Sequence, residues 1–231
     1  MDTSGSDSLT HRPSLRNAVQ NRLEEAILRG ELKDGQQLVE TEIAQWLGVS
    51  RGLVREAFRE LEKTGIVTHN PYRGTFVRSL TAKRVHELYT LRNKLEEFAI
   101  ELAIQRITDE DIDELEQNID KMRRLAEKNN LPGLLDADFQ FHNKLYAISD
   151  HDMLIDHLNS LSRQSYLFIM LTKVVYTLYP TLQDLAESHE DLLEAVRQRD
   201  TERAKAEVRK HISVINERIA NVMQKEDFHP L

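Results

Sequence analysis

The sequence has no cysteine, little glycine or proline, and no long apolar run. Without cysteine the chain cannot form a disulfide, a thiolate nucleophile or a thiolate metal site. No apolar stretch approaches the roughly 18 residues that suggest a membrane-spanning helix. The polar, serine-rich segment 1–12 has no apolar core of the kind found in secretory signals. With 8 Gly and 5 Pro among 231 residues, the sequence predicts a mostly helical, soluble, cytoplasmic protein.

Charge is distributed unevenly along the chain. The net charge is −8, from 31 basic and 39 acidic residues. Residues 1–78 carry 11 of each, so the whole acidic excess lies in residues 79–231. Within the first part, residues 50–78 carry six basic and three acidic residues. This local surplus could bind an anion such as nucleic acid, although a solvated helix face has the same composition.

The segment Glu40–Arg55 has the pattern of a helix-turn-helix. Thr41 is placed to cap a short helix, and Gly48 can supply the tight turn that follows it. Ser50 is placed to cap a second helix that ends before Gly65. Because caps, turn and apolar spacing agree, we expect two helices packed closely together here.

The second helix of this motif has an apolar side and a basic side. Its apolar side carries Val54, Ala57, Phe58 and Leu61. Arg51, Arg55 and Arg59 recur every four residues on the other side. Guanidinium groups in the first two turns can bind guanine edges and phosphates in a DNA major groove. Arg59 could equally pair with a neighbouring glutamate, and Trp46, like Phe58, is assigned to the core.

Two short apolar runs, residues 66–69 and 75–77, flank the turn-rich segment Asn70–Gly74. This arrangement predicts a β-hairpin, which after a helix-turn-helix is the wing of a winged helix. Arg73 and Gly74 near its tip are placed to reach phosphate or the minor groove. The alternative for Arg73 is an exposed turn residue.

After a short link at 79–81, helical patterns follow one another to about residue 223. The predicted helices are Ala82–Arg106, Asp109–Lys128, Leu134–Ile148, Met153–Leu171, Thr181–Arg199 and Thr201–Met223. The fold class is therefore mostly α. A winged helix-turn-helix at 14–78 precedes an all-α bundle at 82–223, with flexible ends at 1–13 and 224–231.

Four titratable residues of this bundle are spaced so that they can meet. Asp138 and His142 are four residues apart on one helix and therefore share a face. His189 and His211 each lie 11 residues from Asp200, so two antiparallel helices joined there would hold them at equal height, about 16 Å from the turn. One carboxylate and three imidazoles can bind Zn²⁺, Ni²⁺, Mn²⁺ or Fe²⁺. A single histidine is more often a core or surface residue, and Asp138 could instead pair with a nearby base.

The segments Leu47–Arg51, Val54–Ala57 and Arg73–Val77 together closely resemble the GntR family of bacterial transcription regulators. The resemblance covers residues 14–78. It implies DNA contacts at Ser50, Arg51, Gly52, Leu53, Arg55, Arg73 and Gly74. Family members often have Thr-Pro or Thr-Thr where this chain has Gly52-Leu53, so a relative's operator sequence does not carry over.

The segments Asp136–His142, Ser188–Glu190 and Lys210–His211 look like the ligand-binding FCD domain of the FadR-like subfamily, over about 82–223. The resemblance implies a divalent metal, with zinc the leading candidate. Its implied ligands are Asp138, His142, His189 and His211. It also implies a small carboxylate as the effector.

Arg92 matches a position of that subfamily that can face the ligand. A guanidinium there could clamp a second carboxylate of the effector. The alternative is an exposed helix residue that pairs with Glu96.

Together these patterns predict a homodimeric regulator, not an enzyme, that binds double-stranded DNA at a pseudo-palindromic operator and responds to its ligand. One alternative is a regulator for which the metal itself is the signal. Another is a metal-dependent enzyme attached to a DNA-binding domain, with Glu190 as the nearest general base. The sequence contains no nucleophile motif, phosphate loop or nucleotide fingerprint that would favour the enzyme.

Overall fold

A computed structural model describes residues 15–172 and 179–223 of the chain. The chain divides into two compact units between Arg78 and Ser79. Among the described residues, no helix has the length and apolar character required to cross a bilayer. The ends predicted to be flexible, 1–13 and 224–231, lie outside the described residues.

The first unit is a small helical domain with a three-stranded sheet. Its elements are α1 (Leu15–Leu28), β1 (Gln37–Leu38), α2 (Glu40–Leu47), α3 (Arg51–Lys63), β2 (Val67–Asn70) and β3 (Gly74–Val77). The strands are antiparallel in the order β1-β3-β2, with Val67 opposite Val77 and Gln37 opposite Phe76. The predicted hairpin is β2–β3, and β1 is not among the strands that the sequence predicts. A two-residue strand has no alternation of its own and forms only because β3 is beside it.

The helix-turn-helix forms largely as its capping residues predict. Gly48 has φ +67° and closes α2 in the left-handed conformation, and the Ser50 hydroxyl accepts the N–H of Leu53 at 3.3 Å at the start of α3. The prediction for Thr41 is wrong. The helix begins at Glu40, and its N-cap is Val39, two residues before Thr41, without a side-chain hydrogen bond.

Trp46 does not belong to the core, contrary to expectation. Its side chain is 44% exposed, and the guanidinium of Arg22 lies over the ring at 4.7 Å from the centroid. Phe58 is buried as predicted. The buried residues of α2 are Ile43 and Ala44, which leaves Trp46 on the outer side of that helix.

The second unit is all helical over its described residues. Its elements are α4 (Ala82–Ile104), α5 (Asp109–Glu127), α6 (Leu131–Ile148), α7 (Asp152–Thr172), α8 (Leu182–Glu187), α9 (Glu190–Arg197) and α10 (Thr201–Met223). α10 packs along α4, α5 packs against α6, and α7 contacts both α4 and α6. Tyr89, Phe141 and Ile119 are among the large side chains that are fully buried in the core.

Helix α6 begins three residues earlier than the pattern around Pro132 predicts. The Asn130 side chain accepts the N–H of Gly133 at 3.1 Å and caps the helix at Leu131. Pro132 then lies in the first turn, where its missing N–H has no intrahelical partner to lose.

The single helix predicted over 181–199 is two helices that are interrupted at Ser188–His189. The Ser188 hydroxyl donates to the carbonyl of Leu185 at 2.7 Å, and Nδ1 of His189 lies 3.1 Å from the same oxygen. These side chains occupy the acceptor that the backbone of a continuous helix would use. The N–H of His189 therefore turns to Ala186 at 3.4 Å. The break thus lies at one of the predicted metal ligands.

Candidate metal centre and DNA-binding surface

The structure brings the four predicted metal ligands together in one cluster. Asp138 and His142 come from α6, His189 from the break before α9, and His211 from α10. One potential ligand atom from each lies within 4.8 Å of the others. Two ligand atoms on opposite sides of an ion are about 4.4 Å apart when each bond is about 2.2 Å. The cluster therefore needs only a small contraction to coordinate one ion.

His189 is oriented by the backbone of the helix that precedes it. Because a carbonyl only accepts, the contact between Nδ1 and the Leu185 oxygen puts the proton on Nδ1. Nε2 lies 2.9 Å from Oδ1 of Asp138 but has no hydrogen-bond partner with acceptable geometry among the described residues. Nε2 of His189 and the carboxylate of Asp138 thus lie side by side, as two ligands of one cation would.

His142 is buried, and a carboxylate lies beside it. Its Nδ1 is 3.2 Å from Oε2 of Glu96, and both side chains are 1% exposed. Nε2 of His142 is buried and has no hydrogen-bond partner in the described structure. A carboxylate beside one ring nitrogen, with the other nitrogen directed at the site, is the usual surrounding of a metal-bound histidine. Sequence reasoning considered Glu96 only as a partner for Arg92.

Protonation within the cluster favours metal binding. Burial lowers the pKa of His211 well below its ordinary value, and His189 and His142 beside it lower it further. Burial alone would raise the pKa of Asp138, but contact with His189 and the other two imidazoles holds it well below its usual range. A neutral imidazole and an ionised carboxylate are the forms that bind a metal.

Arg92 pairs with Glu96, as the alternative for this residue predicts, but it is buried and not exposed. Its Nε donates to Oε1 of Glu96 at 2.5 Å, and Nη1 donates to the hydroxyl of Ser165 at 2.8 Å. Burial alone would raise the pKa of Glu96, yet Arg92 and His142 hold it at about 2. Arg92 thus links Ser165 of α7 to Glu96, which in turn contacts the candidate metal ligand His142.

The hydrogen bonds around Arg92 continue along the contact between α4 and α7. The Ser165 hydroxyl donates to Tyr89 at 2.7 Å, and nearer the start of α4 the guanidinium of Arg84 donates to Gln164 at 2.7 Å. Burial raises the pKa of Tyr89 to about 12, so its hydroxyl stays protonated. Polar contacts thus occur along the contact between α4 and α7 as far as the first turn of α4, buried at Tyr89 and Ser165 and partly buried at Arg84.

The donor set fits a divalent cation. Leaving buried polar atoms unpaired costs about 1–3 kcal/mol each, and Nε2 of His142 and Nε2 of His189 are both unpaired in the described structure. Three imidazoles and one carboxylate suit zinc and other first-row metals rather than calcium or magnesium.

On the first unit, the arginines predicted to contact DNA are exposed along α3. Arg55 forms a bidentate ion pair with Glu40, from Nε at 2.8 Å and from Nη2 at 2.6 Å. Arg51 is 4.0 Å from the same carboxylate. Glu40, at the start of α2, therefore fixes the direction of the Arg55 guanidinium, and sequence reasoning did not assign it this role.

The other predicted contacts at the start of α3 differ in how accessible they are. The hydroxyl of Ser50 caps the helix. Gly52 is exposed, and a Cβ there would approach nothing closer than the Ser50 hydroxyl at 3.9 Å. Leu53 is half-buried. Arg59 makes no ion pair with any described residue, so the alternative of pairing with a neighbouring glutamate is not seen, and Glu60 lies near Arg16 and Lys63 instead.

The wing is anchored at its tip. The N–H of Arg73 donates to the carbonyl of Asn70 at 3.0 Å, and Gln37 from β1 donates to the Arg73 carbonyl at 2.8 Å. Gly74 has φ +96°, and a Cβ there would lie 3.2 Å from the Gln37 amide. The exposed side chain of Arg73 is therefore carried on a rigid turn.

Comparison with known proteins matches both units. The FCD domain matches residues 87–214, and the gntR family of bacterial regulatory proteins matches residues 15–77. The HTH-type transcriptional regulator YdhC of Bacillus subtilis is 30% identical over 211 residues, which cover 89% of this chain and 91% of that protein. The HTH-type transcriptional repressor RspR of Escherichia coli is 26% identical over 194 residues, or 83% and 82% of the two chains. The solved structure of E. coli McbR/YncC has a TM-score of 0.72 at 24% identity and covers 94% of this chain and 100% of that one, so the two share a fold.

Proposed function

Because the chain belongs to the GntR family of bacterial regulatory proteins and carries an FCD domain, we propose that this DNA-binding transcription regulator is a homodimer controlled by a small carboxylate. The carboxylate would bind at a divalent metal in the C-terminal unit. The observation that carries this proposal is the cluster of Asp138, His142, His189 and His211, with its buried unpaired nitrogens.

The protein's part in metal binding is to hold the ligands in place before the ion arrives. The Leu185 carbonyl fixes the ring of His189, and Glu96 lies against the ring of His142. Such supporting contacts typically change metal affinity by 10–100-fold. Zinc is the leading candidate, with nickel, manganese and iron as alternatives. When bound, a divalent ion with open positions supplies a coordination site for a carboxylate oxygen.

Arg92 is the residue that we propose for the second contact with the effector. Its guanidinium is already held by Glu96 and Ser165. An effector carboxylate that binds this guanidinium would compete with the Ser165 hydroxyl, which also contacts Tyr89. Effector binding would therefore change the contact between α4 and α7. The effector can change DNA affinity only to the extent that it binds one arrangement of α4 and α7 more tightly than the other.

On the DNA side, we propose that each copy of the chain inserts α3 into the major groove of one half-site. Arg51 and Arg55 would contact base edges and phosphates there, Ser50, Gly52 and Leu53 would line the approach, and Arg73 and Gly74 would contact the adjacent minor groove. Two copies related by a two-fold axis would read a pseudo-palindromic operator.

Metal sensing without an organic effector is the second candidate, because a metal-binding cluster by itself could make DNA affinity depend on the ion. The enzyme alternative has less support. Glu190, its proposed general base, is an exposed residue that pairs with Arg123.

Elemental analysis of the purified protein tests the metal. The wild type and a His157→Ala control, in which an exposed histidine of α7 is lost, should contain nearly one metal per chain. The His189→Ala/His211→Ala double variant should contain almost none. Absence of metal from the wild type, even after supplementation, would refute the site.

DNA affinity tests the rest of the proposal, with a duplex enriched from a random-sequence library by the wild-type protein. The Arg51→Ala/Arg55→Ala variant should bind weakly, and the slope of its log binding constant against log salt concentration should be smaller in magnitude by up to about 2. The control variant Arg106→Ala, in the other unit, should bind normally. Unchanged binding by the double variant would contradict the proposed surface. A change in affinity on adding Zn²⁺ alone indicates metal sensing, and a further change only with a carboxylate indicates the organic effector.

A further inference from the structure

Tyr72 lies at the tip of the wing and contributes nothing visible to the packing of its unit. Its side chain is fully exposed, and it makes no hydrogen bond, ring contact or ion pair with any described residue. Burial of one face of an aromatic ring against a neighbour would be favourable. Tyr72 gains no such burial within the described part of the chain.

The backbone at Tyr72 is also unfavourable for its side chain. Its φ is +65°, the left-handed region that non-glycine residues rarely adopt. Asn70 accepts the N–H of Arg73 at 3.0 Å, so Asn70–Arg73 is a hydrogen-bonded turn with Pro71 in its second position. This is the pattern of a type II turn, whose third position favours glycine or asparagine. A tyrosine at this position destabilises the turn, so we infer a role for its side chain other than folding.

The surroundings of Tyr72 suggest which partner it contacts. The turn is braced by Gln37 from β1, while Glu62 at the end of α3 accepts the N–H of His69 in β2 at 3.2 Å. The tip is thereby tied to the helix that reads DNA, and the side chain next to Tyr72 is the exposed Arg73. The B-DNA minor groove is about 6 Å wide and 7.5 Å deep, and wedge side chains enter it from such tips.

We propose that Tyr72 contacts DNA in the minor groove beside the half-site read by α3. Its ring packs against deoxyribose, and its hydroxyl donates a hydrogen bond to a backbone phosphate. The proposal rests on the DNA-binding role of the family and adds a residue that this role does not require. Because the contact is uncharged, it contributes affinity without changing the number of counterions released.

The test compares Tyr72→Asn, Tyr72→Gly and Tyr72→Phe with wild type on the duplex enriched by the wild-type protein. Asparagine and glycine suit the turn, so their Tm should be unchanged or slightly raised. Their affinity should fall about tenfold at every salt concentration, as expected for a lost contact of this size. Phenylalanine keeps the ring and should lose less. Arg73→Gln serves as the charged comparison, and its log–log salt slope should fall by about 0.9.

Wild-type affinity in the asparagine and glycine variants would overturn the proposal. A lowered Tm that accompanies the loss of binding would overturn it too, because Tyr72 would then act through the fold. Failure of the wild type to enrich any duplex would instead refute the DNA-binding role, which is a different outcome from failure of these variants.

Discussion

Replacing Glu96 by glutamine should destabilise the second unit far more than the same change at its neighbour Glu97. Both carboxylates lie on α4 and both are paired. Glu96 is buried with Arg92, also buried, at 2.5 Å and with His142 at 3.2 Å. Glu97 accepts from Arg209 at 2.9 and 3.1 Å, but the side chain of Arg209 is half exposed.

The expected magnitudes follow from burial. Removing one charge of a buried pair leaves the other uncompensated and costs about 3–5 kcal/mol. Since glutamine keeps the size of Glu96 and can still accept one hydrogen bond, we expect about 3 kcal/mol. A pair with an exposed partner contributes about 0.2–1 kcal/mol. At about 2–4 °C per kcal/mol for a chain of this size, Glu96→Gln should lower Tm by roughly 6–12 °C and Glu97→Gln by no more than about 4 °C.

Thermal unfolding followed by far-ultraviolet circular dichroism measures both changes. The scans should be run after treatment with a chelator and again with excess Zn²⁺, because metal binding adds its own stabilisation. Glu96→Gln should also weaken metal binding 10–100-fold, since it removes the carboxylate beside His142. Glu97→Gln should leave metal binding unchanged.

Similar Tm values for the two variants in chelated protein would refute this reasoning. The buried pair would then be energetically equivalent to a surface pair. A large loss of Tm without a change in metal affinity would show instead that Glu96 stabilises the fold through Arg92 and does not support His142.

Three further predictions concern the first unit. Ser50→Ala should lower the free energy of unfolding by about 1 kcal/mol, because the hydroxyl caps α3, whereas Thr41→Ala should leave it almost unchanged. Urea titration measures both variants. Equal losses would contradict the observed caps. Gly48→Ala should cost about 1 kcal/mol through its positive φ alone, since a Cβ there meets nothing within 4 Å; the same titration measures it, and a neutral result would show that the turn relaxes. Trp46, the sole tryptophan, should show the emission maximum of a solvent-exposed indole and be quenched efficiently by iodide. A blue-shifted emission that iodide does not quench would show that Trp46 is buried in the core.

The helix-turn-helix was predictable because its determinants are local. A serine cap and a glycine turn act within a few residues, and both appear at Ser50 and Gly48 as expected. The prediction for Thr41 failed because the helix starts at Glu40 with Val39 as its N-cap, a residue whose side chain cannot accept a hydrogen bond. Trp46 failed because an aromatic residue at a helical spacing does not reveal which side of a short helix faces the core.

The convergence of the four residues of the cluster was predictable from their spacing, and the residues packed around them were not. Asp138 and His142 share a helix face through a local repeat, and His189 and His211 are equidistant from one hairpin turn. The ring centroids of His189 and His211 lie 4.7 Å apart although the predicted helix breaks, because the break lies at His189 itself and leaves α9 intact between that residue and the turn. The contact of Glu96 with His142 joins α4 to α6 and has no signature in either helix alone.

The helical class, the winged helix-turn-helix and the four residues that could bind a metal were all predictable from the sequence. Each of these depends on interactions between residues a few positions apart, or on a repeat that is visible in one helix. Packing between distant segments settled that β1 pairs with β3 and that Arg92 is buried against Glu96 and Ser165. It also left Nε2 of His142 and Nε2 of His189 without hydrogen-bond partners among the described residues. Those features arise where distant segments pack together, and the free energy of each contact depends on a neighbour that the local sequence does not specify.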